Sequence, residues 1–426
     1  MSEENFVPEV EGEDTSVPKG ELTVEQVYAL IAEGKTVENA RIRKLKFRGN
    51  YDKPIAFRNC TLVQPEFNGA TFAAEVKFVG CTIDRPMFNK LVTFENNLNF
   101  SGSTFNKAIF YRVTVKGEFS ASGTQFKNKL GFKGCHFHKK ATFWEAKFHG
   151  WAEFTECKFQ SHANFRSLHA DQGFVLVKCQ FQGDFLFRGS SVSKKFALDG
   201  SRFEALLDIS KAKFQDFAYL EQIEAGTMMR LACQNAIGER ILIQPKQIEG
   251  RLLSEETGNH EQAMQEYGLL KKCYSTQHRY DQEDWAFYRF KMNQRRARPA
   301  SWSRPWTKWR SFGEWLFLDI GCGYGTNPIR AVRMAFVIIL SFAIVYALGV
   351  DQFYAEKKPF PDEDVSSWAN RTMIGLTTSV SVFTSGMGGI REVAKGWMNI
   401  PVMIESVMGT LLFGLFIVAF SRKVIR

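Results

Sequence analysis

The sequence lacks the motifs of several common protein classes. Its eight cysteines include no CxxC pair and no apolar export signal opens the chain, which predicts a reducing, cytosolic setting for the larger part. It contains no nucleophile–base set, no phosphate-binding loop and no metal-binding cluster. We therefore predict that the protein is not an enzyme and needs no cofactor. Residues 1–20 are acidic and poor in apolar residues, and are predicted to form a disordered tail.

Phenylalanine, in contrast, is abundant, with 40 residues against 11 tyrosines. It recurs at alternating steps of five and six residues, at positions 132, 137, 143, 148, 154, 159 and 165. Neither a helix nor a strand has this period. A repeat this regular predicts a solenoid, in which each unit buries its apolar face by stacking on the next.

A small residue stands two positions before most of these aromatic residues. Because alternate residues of an extended chain point to the same side, both are predicted to face inward. Cys135, Cys157 and Cys179 are separated by 22 residues each, so one coil is predicted to contain 22 residues with these thiols in a column. We interpret them as small core residues, since parallel side chains about 4.8 Å apart are poorly aimed for a disulfide.

This pattern resembles the pentapeptide-repeat family over about residues 41–222. The resemblance implies a right-handed quadrilateral β-helix. Some members of that family mimic DNA and bind topoisomerases, which requires an acidic surface. Residues 41–220 contain 28 Lys and Arg against 15 Asp and Glu, so this function is disfavoured and no nucleic-acid partner is expected. The partner of the β-helix, a protein or a ligand, stays unidentified.

Helical segments are predicted on both sides of the repeats. Residues 21–40 contain a capping helix over 23–34, which starts at a capping box of Thr23 and Gln26. Residues 223–298 are predicted to form a helical linker or cap, with a hairpin whose helices separate at Tyr280 and Asp281.

Tryptophans alternate with basic residues in the segment 299–329, a composition that suits the lipid headgroup region. We predict an amphipathic interfacial helix over residues 305–318. The GCGYG at 321–325 precedes any spanning segment, so we interpret it as a glycine-rich turn and not as an ion filter.

Two apolar runs, at about 334–354 and 401–420, are long enough to span a bilayer. Basic residues beyond the far end of each run predict that both termini are cytoplasmic, in a multi-pass protein of the inner cell membrane. The segment between the runs, SWANRTMIGLTTSVSVF, is too polar to cross alone. It is predicted to form a re-entrant helix over residues 367–383, within a re-entrant pore loop of about residues 367–390.

With the TSGMGG that follows it, this part of the chain (330–426) resembles the helix–pore loop–helix module of two-transmembrane-helix potassium channels. The resemblance implies a homotetramer in which filter carbonyls replace the water shell of a monovalent cation, K+ in the family. It also implies pore support by Glu405 and a hinge at Gly409. The filter would comprise Thr384, Ser385, Gly386, Met387 and Gly388.

The filter departs from the family at three positions. Met387 replaces a tyrosine, Gly389 an acidic residue and Ser385 a valine. We therefore expect a looser filter, with non-selective passage of monovalent cations as the alternative to K+ selectivity. Two roles are possible for Glu405: it braces the pore helix, or it lies at the membrane interface or in contact with ions. We favour bracing, because an acid inside a membrane needs a hydrogen-bonding or charged partner.

The sequence as a whole predicts a multidomain protein: a β-helix, a helical linker and an α-helical membrane domain. The predicted function is a tetrameric cation channel with a cytosolic regulatory or scaffold domain. Two alternatives stay open, a membrane-anchored scaffold that does not conduct and an effector that permeabilises the membrane without ion selectivity.

Overall fold

A computed structural model describes residues 20–88, 90–298, 305–353, 367–385, 394 and 396–425, with backbone alone at 305–308 and 385. The chain divides into two compact units, Met1–Thr257 and Gly258–Arg426. Predicted features that fall on other residues, among them the N-terminal tail and most of the TSGMGG segment, lie outside the described part.

The first unit begins with helix α1, Val24–Glu33. The predicted capping box is confirmed, because the Thr23 hydroxyl accepts a hydrogen bond from the Gln26 backbone while the Gln26 side chain accepts one from the Thr23 backbone. Val27 and Ile31 are the buried residues of this helix.

A β-solenoid follows, whose short parallel strands stack into four sheets of eight to ten strands within the described residues. This corresponds to about nine turns. The first sheet contains Val37–Glu38, Ile55–Arg58, Val76–Val79, Leu98–Asn99, Phe119–Ser120, Ala141–Thr142, Ala163–Asn164, Phe185–Leu186, Leu206–Asp208 and Arg230–Ala232. The second contains Gly49–Tyr51, Ala70–Phe72, Val92–Phe94, Val113–Val115, His136–Phe137, Lys158–Phe159, Gln180–Phe181, Arg202–Phe203 and Glu224–Ala225.

The other two sheets complete the four sides. The third contains Arg41–Arg43, Thr61–Val63, Thr82–Asp84, Thr104–Phe105, Gln125–Phe126, Lys147–Phe148, His169–Ala170, Ser191–Val192 and Lys213–Phe214. The fourth contains Met87–Phe88, Ala108–Tyr111, Leu130–Lys133, Ala152–Thr155, Phe174–Val177, Phe196–Ala197, Ala218–Tyr219 and Ile241–Leu242.

The phenylalanines stack inside the solenoid at the predicted 22-residue register. Phe110 pairs with Phe132 and Phe132 with Phe154, and the ring centroids lie 4.4 and 4.9 Å apart in nearly parallel planes. Cys135, Cys157 and Cys179 are buried and unoxidised, as predicted for small core residues.

The alternation of five- and six-residue steps has a backbone cause. Between Phe110 and Phe214, each five-residue step contains one residue with a φ between +52° and +72°, which allows the chain to turn a corner tightly. The longer step turns with one more residue and needs no left-handed backbone. From the fifth coil onward these left-handed residues recur every eleven residues: Arg112, Gly123, Gly134, Glu145, Glu156, Ser167, Lys178, Gly189, Gly200 and Lys211.

The solenoid extends past its predicted end at residue 222, as far as Leu242. Ala218 pairs with Ile241 and Leu207 with Leu231, so the last coil is one or two residues longer than the repeat. This insertion breaks the period in the sequence but not the stacking. Two short helices, α2 (Pro245–Ile248) and α3 (Leu253–Glu256), follow the last coil and bury Ile248.

The second unit starts with the predicted helical hairpin. Helices α4 (His260–Thr276) and α5 (Tyr280–Arg296) pack together through contacts such as the edge-to-face pair of Tyr267 and Trp285, 5.5 Å apart. The turn lies at residues 277–279, because Tyr280 and Asp281 already belong to the first turn of α5.

Helix α6 (Pro305–Gly313) continues into a π-helix, Glu314–Ile320, so the helical segment ends two residues after its predicted end. Trp309, Phe312 and Trp315 are exposed on it. The GCGYG segment forms the predicted turn, with left-handed backbone at Gly323, Tyr324 and Gly325.

Three longer helices complete the unit: α7 (Pro328–Leu348), α8 (Trp368–Ser385) and α9 (Asn399–Val424). Single turns of 3-10 helix, Val350–Gln352 and Gly396–Met398, lie at the end of α7 and the start of α9. Among the described residues, Pro328–Leu348 and Gly396–Val424 are long and apolar enough to cross a membrane.

Candidate functional site

The candidate site lies where α7, α8 and α9 pack together. Ala331, early in α7, shares an apolar cluster with Leu412, late in α9. Tyr346, late in α7, shares another with Val402, early in α9. The two apolar helices are therefore antiparallel, and α8 contacts both of them.

A fully buried carboxylic acid connects the three helices. The Tyr346 hydroxyl of α7 donates a hydrogen bond of 2.6 Å to Glu405 Oε2 on α9. The Ser379 hydroxyl of α8 lies 2.5 Å from Glu405 Oε1 and 2.9 Å from the Ile339 carbonyl oxygen of α7. We call Glu405, Tyr346 and Ser379 the glutamate cluster. Its hydrogen bonds hold α8 against both antiparallel helices, the kind of contact that the bracing interpretation of Glu405 requires.

Two glycines allow the backbones of α7, α8 and α9 to approach one another closely. A Cβ atom at Gly375 of α8 would lie 2.3 Å from the Ala343 carbonyl oxygen of α7. At Gly409 of α9 it would lie 2.6 Å from the Phe383 carbonyl oxygen of α8. Small residues at such crossings are typical of helix packing in membranes. Gly409 therefore lies against the last turns of α8, one turn after Glu405.

Replacing Gly409 with alanine is expected to destabilise the packing of α8 by about 1–3 kcal/mol, the usual cost of overpacking. Gly414→Ala is the matched control on the same helix, since a Cβ there meets nothing within 4 Å. The free energy of unfolding of the purified full chain, measured by detergent or denaturant titration, compares the two variants. Equal stability of both would contradict the close contact at Gly409.

The predicted filter lies at the end of α8. Thr384 is exposed in its last turn and donates a hydrogen bond of 2.7 Å to the Val380 carbonyl oxygen. Ser385 is the last residue of the helix, which therefore ends two residues later than predicted. Gly386, Met387 and Gly388 lie outside the described residues, so their filter role stays a prediction, as do the pore-support and hinge roles of Glu405 and Gly409.

Side chains of α5 form ion pairs with side chains at the C-terminal end of α9. Arg422 lies 2.9 Å from Asp284 and covers the Phe287 ring at 4.4 Å, with both charged groups mostly buried. Lys423 lies 3.0 Å from Asp281. The hairpin is therefore joined to the end of α9 by a charged and partly desolvated contact.

Helix α5 also contacts the π-helix that precedes α7. Asp319 is buried and accepts hydrogen bonds from Arg295, at 2.6 Å, and from the Tyr288 hydroxyl, at 2.8 Å. We call α7, α8 and α9 the three-helix module; helix α5 thus contacts the chain just before this module and the last turn of its final helix.

The sequence interpretation missed Tyr346 and Ser379 as partners of Glu405. Glu405 itself indicated that such partners exist, because an acid within an apolar helix requires hydrogen-bond donors. Tyr346 is one of only two hydroxyl residues in the uncharged run 334–350. Ser379, however, is one of several hydroxyl residues in its segment, and only the packing of α8 selects it.

No model of a known protein family, no curated protein and no solved structure matches the chain.

Proposed function

We propose that the protein is the subunit of a homotetrameric cation channel of the potassium-channel type, with the β-solenoid as a cytosolic regulatory or scaffold domain. In this proposal α7 and α9 cross the inner membrane with both termini in the cytoplasm, and α8 is the pore helix. The segment from Thr384 to Gly388 then surrounds the permeant ion. The solenoid has the four-sided, phenylalanine-stacked form that the pentapeptide-repeat resemblance implies.

The observation that carries the proposal is the glutamate cluster. A helix of 18 residues, too polar to cross a membrane alone, is held between two antiparallel apolar helices by a buried acid. Its C-terminal end leads directly into the glycine-rich TSGMGG. A protein that only anchored a scaffold would need neither the buried polar contacts nor the close glycine crossings.

Cation flux through liposomes that contain the purified full chain tests this function. We expect K+ flux from the native sequence, and its loss in Gly386→Ala and Gly388→Ala, whose added methyl groups restrict the backbone angles that aim the carbonyls. Gly313→Ala, outside the two spans, is the control and is expected to conduct normally, since a Cβ there meets nothing within 4 Å among the described residues.

The same assay separates the alternatives. The absence of flux in all conditions favours the membrane-anchored scaffold, and flux that survives both filter substitutions favours a non-selective permeabilising effector. Reversal potentials in opposed K+ and Na+ gradients then distinguish K+ selectivity, which displaces the potential from zero, from non-selective passage of monovalent cations, the alternative that Met387 in place of a tyrosine leaves open.

A further inference from the structure

Three polar side chains on the outer face of the third solenoid sheet form a continuous hydrogen-bonded chain. The Ser191 hydroxyl oxygen lies 2.5 Å from His169 Nδ1, and His169 Nε2 lies 2.8 Å from Asp171 Oδ1. A serine bonded to an imidazole that a carboxylate orients is the arrangement of nucleophile, base and orienting group in serine hydrolases. We propose that Ser191, His169 and Asp171, the serine–histidine–aspartate set, hydrolyse carboxylic esters.

The strands of the solenoid hold the three groups at a fixed spacing. His169 and Ser191 are paired residues of neighbouring parallel strands, and the residue after each of them is buried in the core. Asp171 follows His169 by two residues, which places it on the same side of the extended chain. The side chains of His169 and Asp171 are 47% and 38% exposed, so a substrate in solution reaches them. The sequence shows no such set, since residues one coil apart form no motif along the chain.

The carboxylate fixes which nitrogen of His169 acts as the base. A carboxylate only accepts hydrogen bonds, so His169 Nε2 carries the proton that faces Asp171. The Nδ1 atom then has the electron pair that accepts the Ser191 proton. His149 Nδ1 lies 2.7 Å from Oδ2, the other oxygen of Asp171. Asp171 is therefore held between two imidazoles and is a positioning residue for His169.

Lysines on the neighbouring coils supply positive charge to the set. Lys213 is paired with Ser191 on the following strand, and Lys147 is paired with His169 on the preceding one. Parallel strands are about 4.8 Å apart, so both lysine side chains start beside the set. Their ammonium groups favour the negative charge that develops on the carbonyl oxygen of an ester under attack.

An aromatic side chain next to the set favours an ester with an apolar acyl group. The Trp151 indole is 37% exposed and fills the space over Gly173, where an added Cβ would lie 2.6 Å from the ring. Gly173 follows Asp171 by two residues, so the ring covers the chain immediately after the carboxylate. We therefore expect the acyl group of the substrate to pack on this indole.

The reaction balances with water as its co-reactant. The Ser191 oxygen bonds to the ester carbonyl carbon while its proton passes to His169 Nδ1, and the imidazolium gives that proton to the oxygen that leaves as an alcohol. Water then attacks the acyl group on Ser191. His169 takes a proton from the water and returns it to the serine oxygen, which releases the carboxylic acid and restores the site.

Labelling of the purified full chain with a fluorophosphonate probe, followed by peptide mapping, tests for an activated serine. The probe phosphonylates a serine that an adjacent base deprotonates. We expect Ser191 to react at least about a hundredfold faster than Ser120, within the range of general base catalysis. Ser120 is the matched comparison, since it is half-buried in a strand of the first sheet and its hydroxyl is bonded to the hydroxyls of Ser101 and Ser122.

Hydrolysis of p-nitrophenyl butyrate by the same protein measures turnover. We expect Ser191→Ala and His169→Gln each to lower kcat/KM at least about a hundredfold. Asp171→Asn is expected to lower kcat with KM unchanged, because it acts through the tautomer of His169 and not through binding of the ester. Ser120→Ala is the control and is expected to hydrolyse the ester as the native chain does.

Two results would overturn the proposal: labelling of Ser191 no faster than that of Ser120, or equal hydrolysis by Ser191→Ala and the native chain. Either result would show that the three residues form only a hydrogen-bonded surface ladder. The labelling experiment uses the native chain and therefore requires no variant to fold. Neither measurement depends on cation flux, so this inference and the channel function are tested separately.

Discussion

Replacing Glu405 with alanine is expected to lower the free energy of unfolding of the three-helix module by about 3 kcal/mol, and to abolish cation flux. The substitution leaves the buried Tyr346 hydroxyl without an acceptor and opens a cavity between α7, α8 and α9. Ser379 keeps its hydrogen bond to the Ile339 carbonyl, so α8 stays bonded to α7 but loses its hydrogen bond to α9. The contact of Gly409 with Phe383 is then what still holds α8 to α9, and the filter segment follows a less firmly held helix.

Glu405→Gln is the matched comparison, because its amide has nearly the same shape and can both accept from Tyr346 and donate to Ser379. We expect Glu405→Gln to lower the free energy of unfolding by less than about 1 kcal/mol, which is within the range of a single net hydrogen bond. Tyr346→Phe, Glu405→Ala and the double variant complete a double-mutant cycle, which measures the coupling between Tyr346 of α7 and Glu405 of α9. If Glu405→Ala were as stable as Glu405→Gln, the glutamate cluster would not be what holds α8.

The second large effect is expected in the solenoid, where Phe154→Ala should lower the free energy of unfolding by about 3–5 kcal/mol. The ring of Phe154 stacks on Phe132 and meets Phe143 and Phe165 edge to face, with centroids 4.9 to 5.6 Å away. Because each coil contacts only its neighbours, the loss of one central ring weakens both interfaces of its coil.

Hydrogen exchange of the full chain, read by mass spectrometry, localises that effect. Exchange should accelerate first in Leu130–Lys133 and Phe174–Val177, the strands on either side of Phe154. Trp144→Ala is the control, as its side chain is 46% exposed and its loss should leave exchange nearly unchanged. Uniform acceleration over the whole solenoid would contradict independent contacts between neighbouring coils.

In the proposed channel, ion pairs connect α5 of the hairpin to the end of α9, and regulation would act through them. Arg422 and Lys423 at the end of α9 are paired with Asp284 and Asp281 of α5. Any displacement of the hairpin either breaks these ion pairs or moves the end of α9 with it. Because the Arg422 pair is mostly buried, breaking it costs more than breaking a surface pair, which favours joint movement of α5 and α9.

Much of the fold was predictable from local pattern. The phenylalanine period predicted the solenoid, its 22-residue coil and its inward cysteines, since side-chain direction along an extended chain alternates residue by residue. The capping box of Thr23 and Gln26, the hairpin and the two apolar helices are likewise local features. The end of the solenoid was missed because a longer last coil breaks the period while its strands still pair.

The repeating core and the candidate membrane segments follow from local sequence, because both depend on which side chains lie near one another along the chain. Helix packing in three dimensions selects which hydroxyl groups meet Glu405 and which backbone Gly409 touches. Those contacts join residues far apart in sequence, such as Ser379 and Glu405, and only the packing angles of whole helices select them.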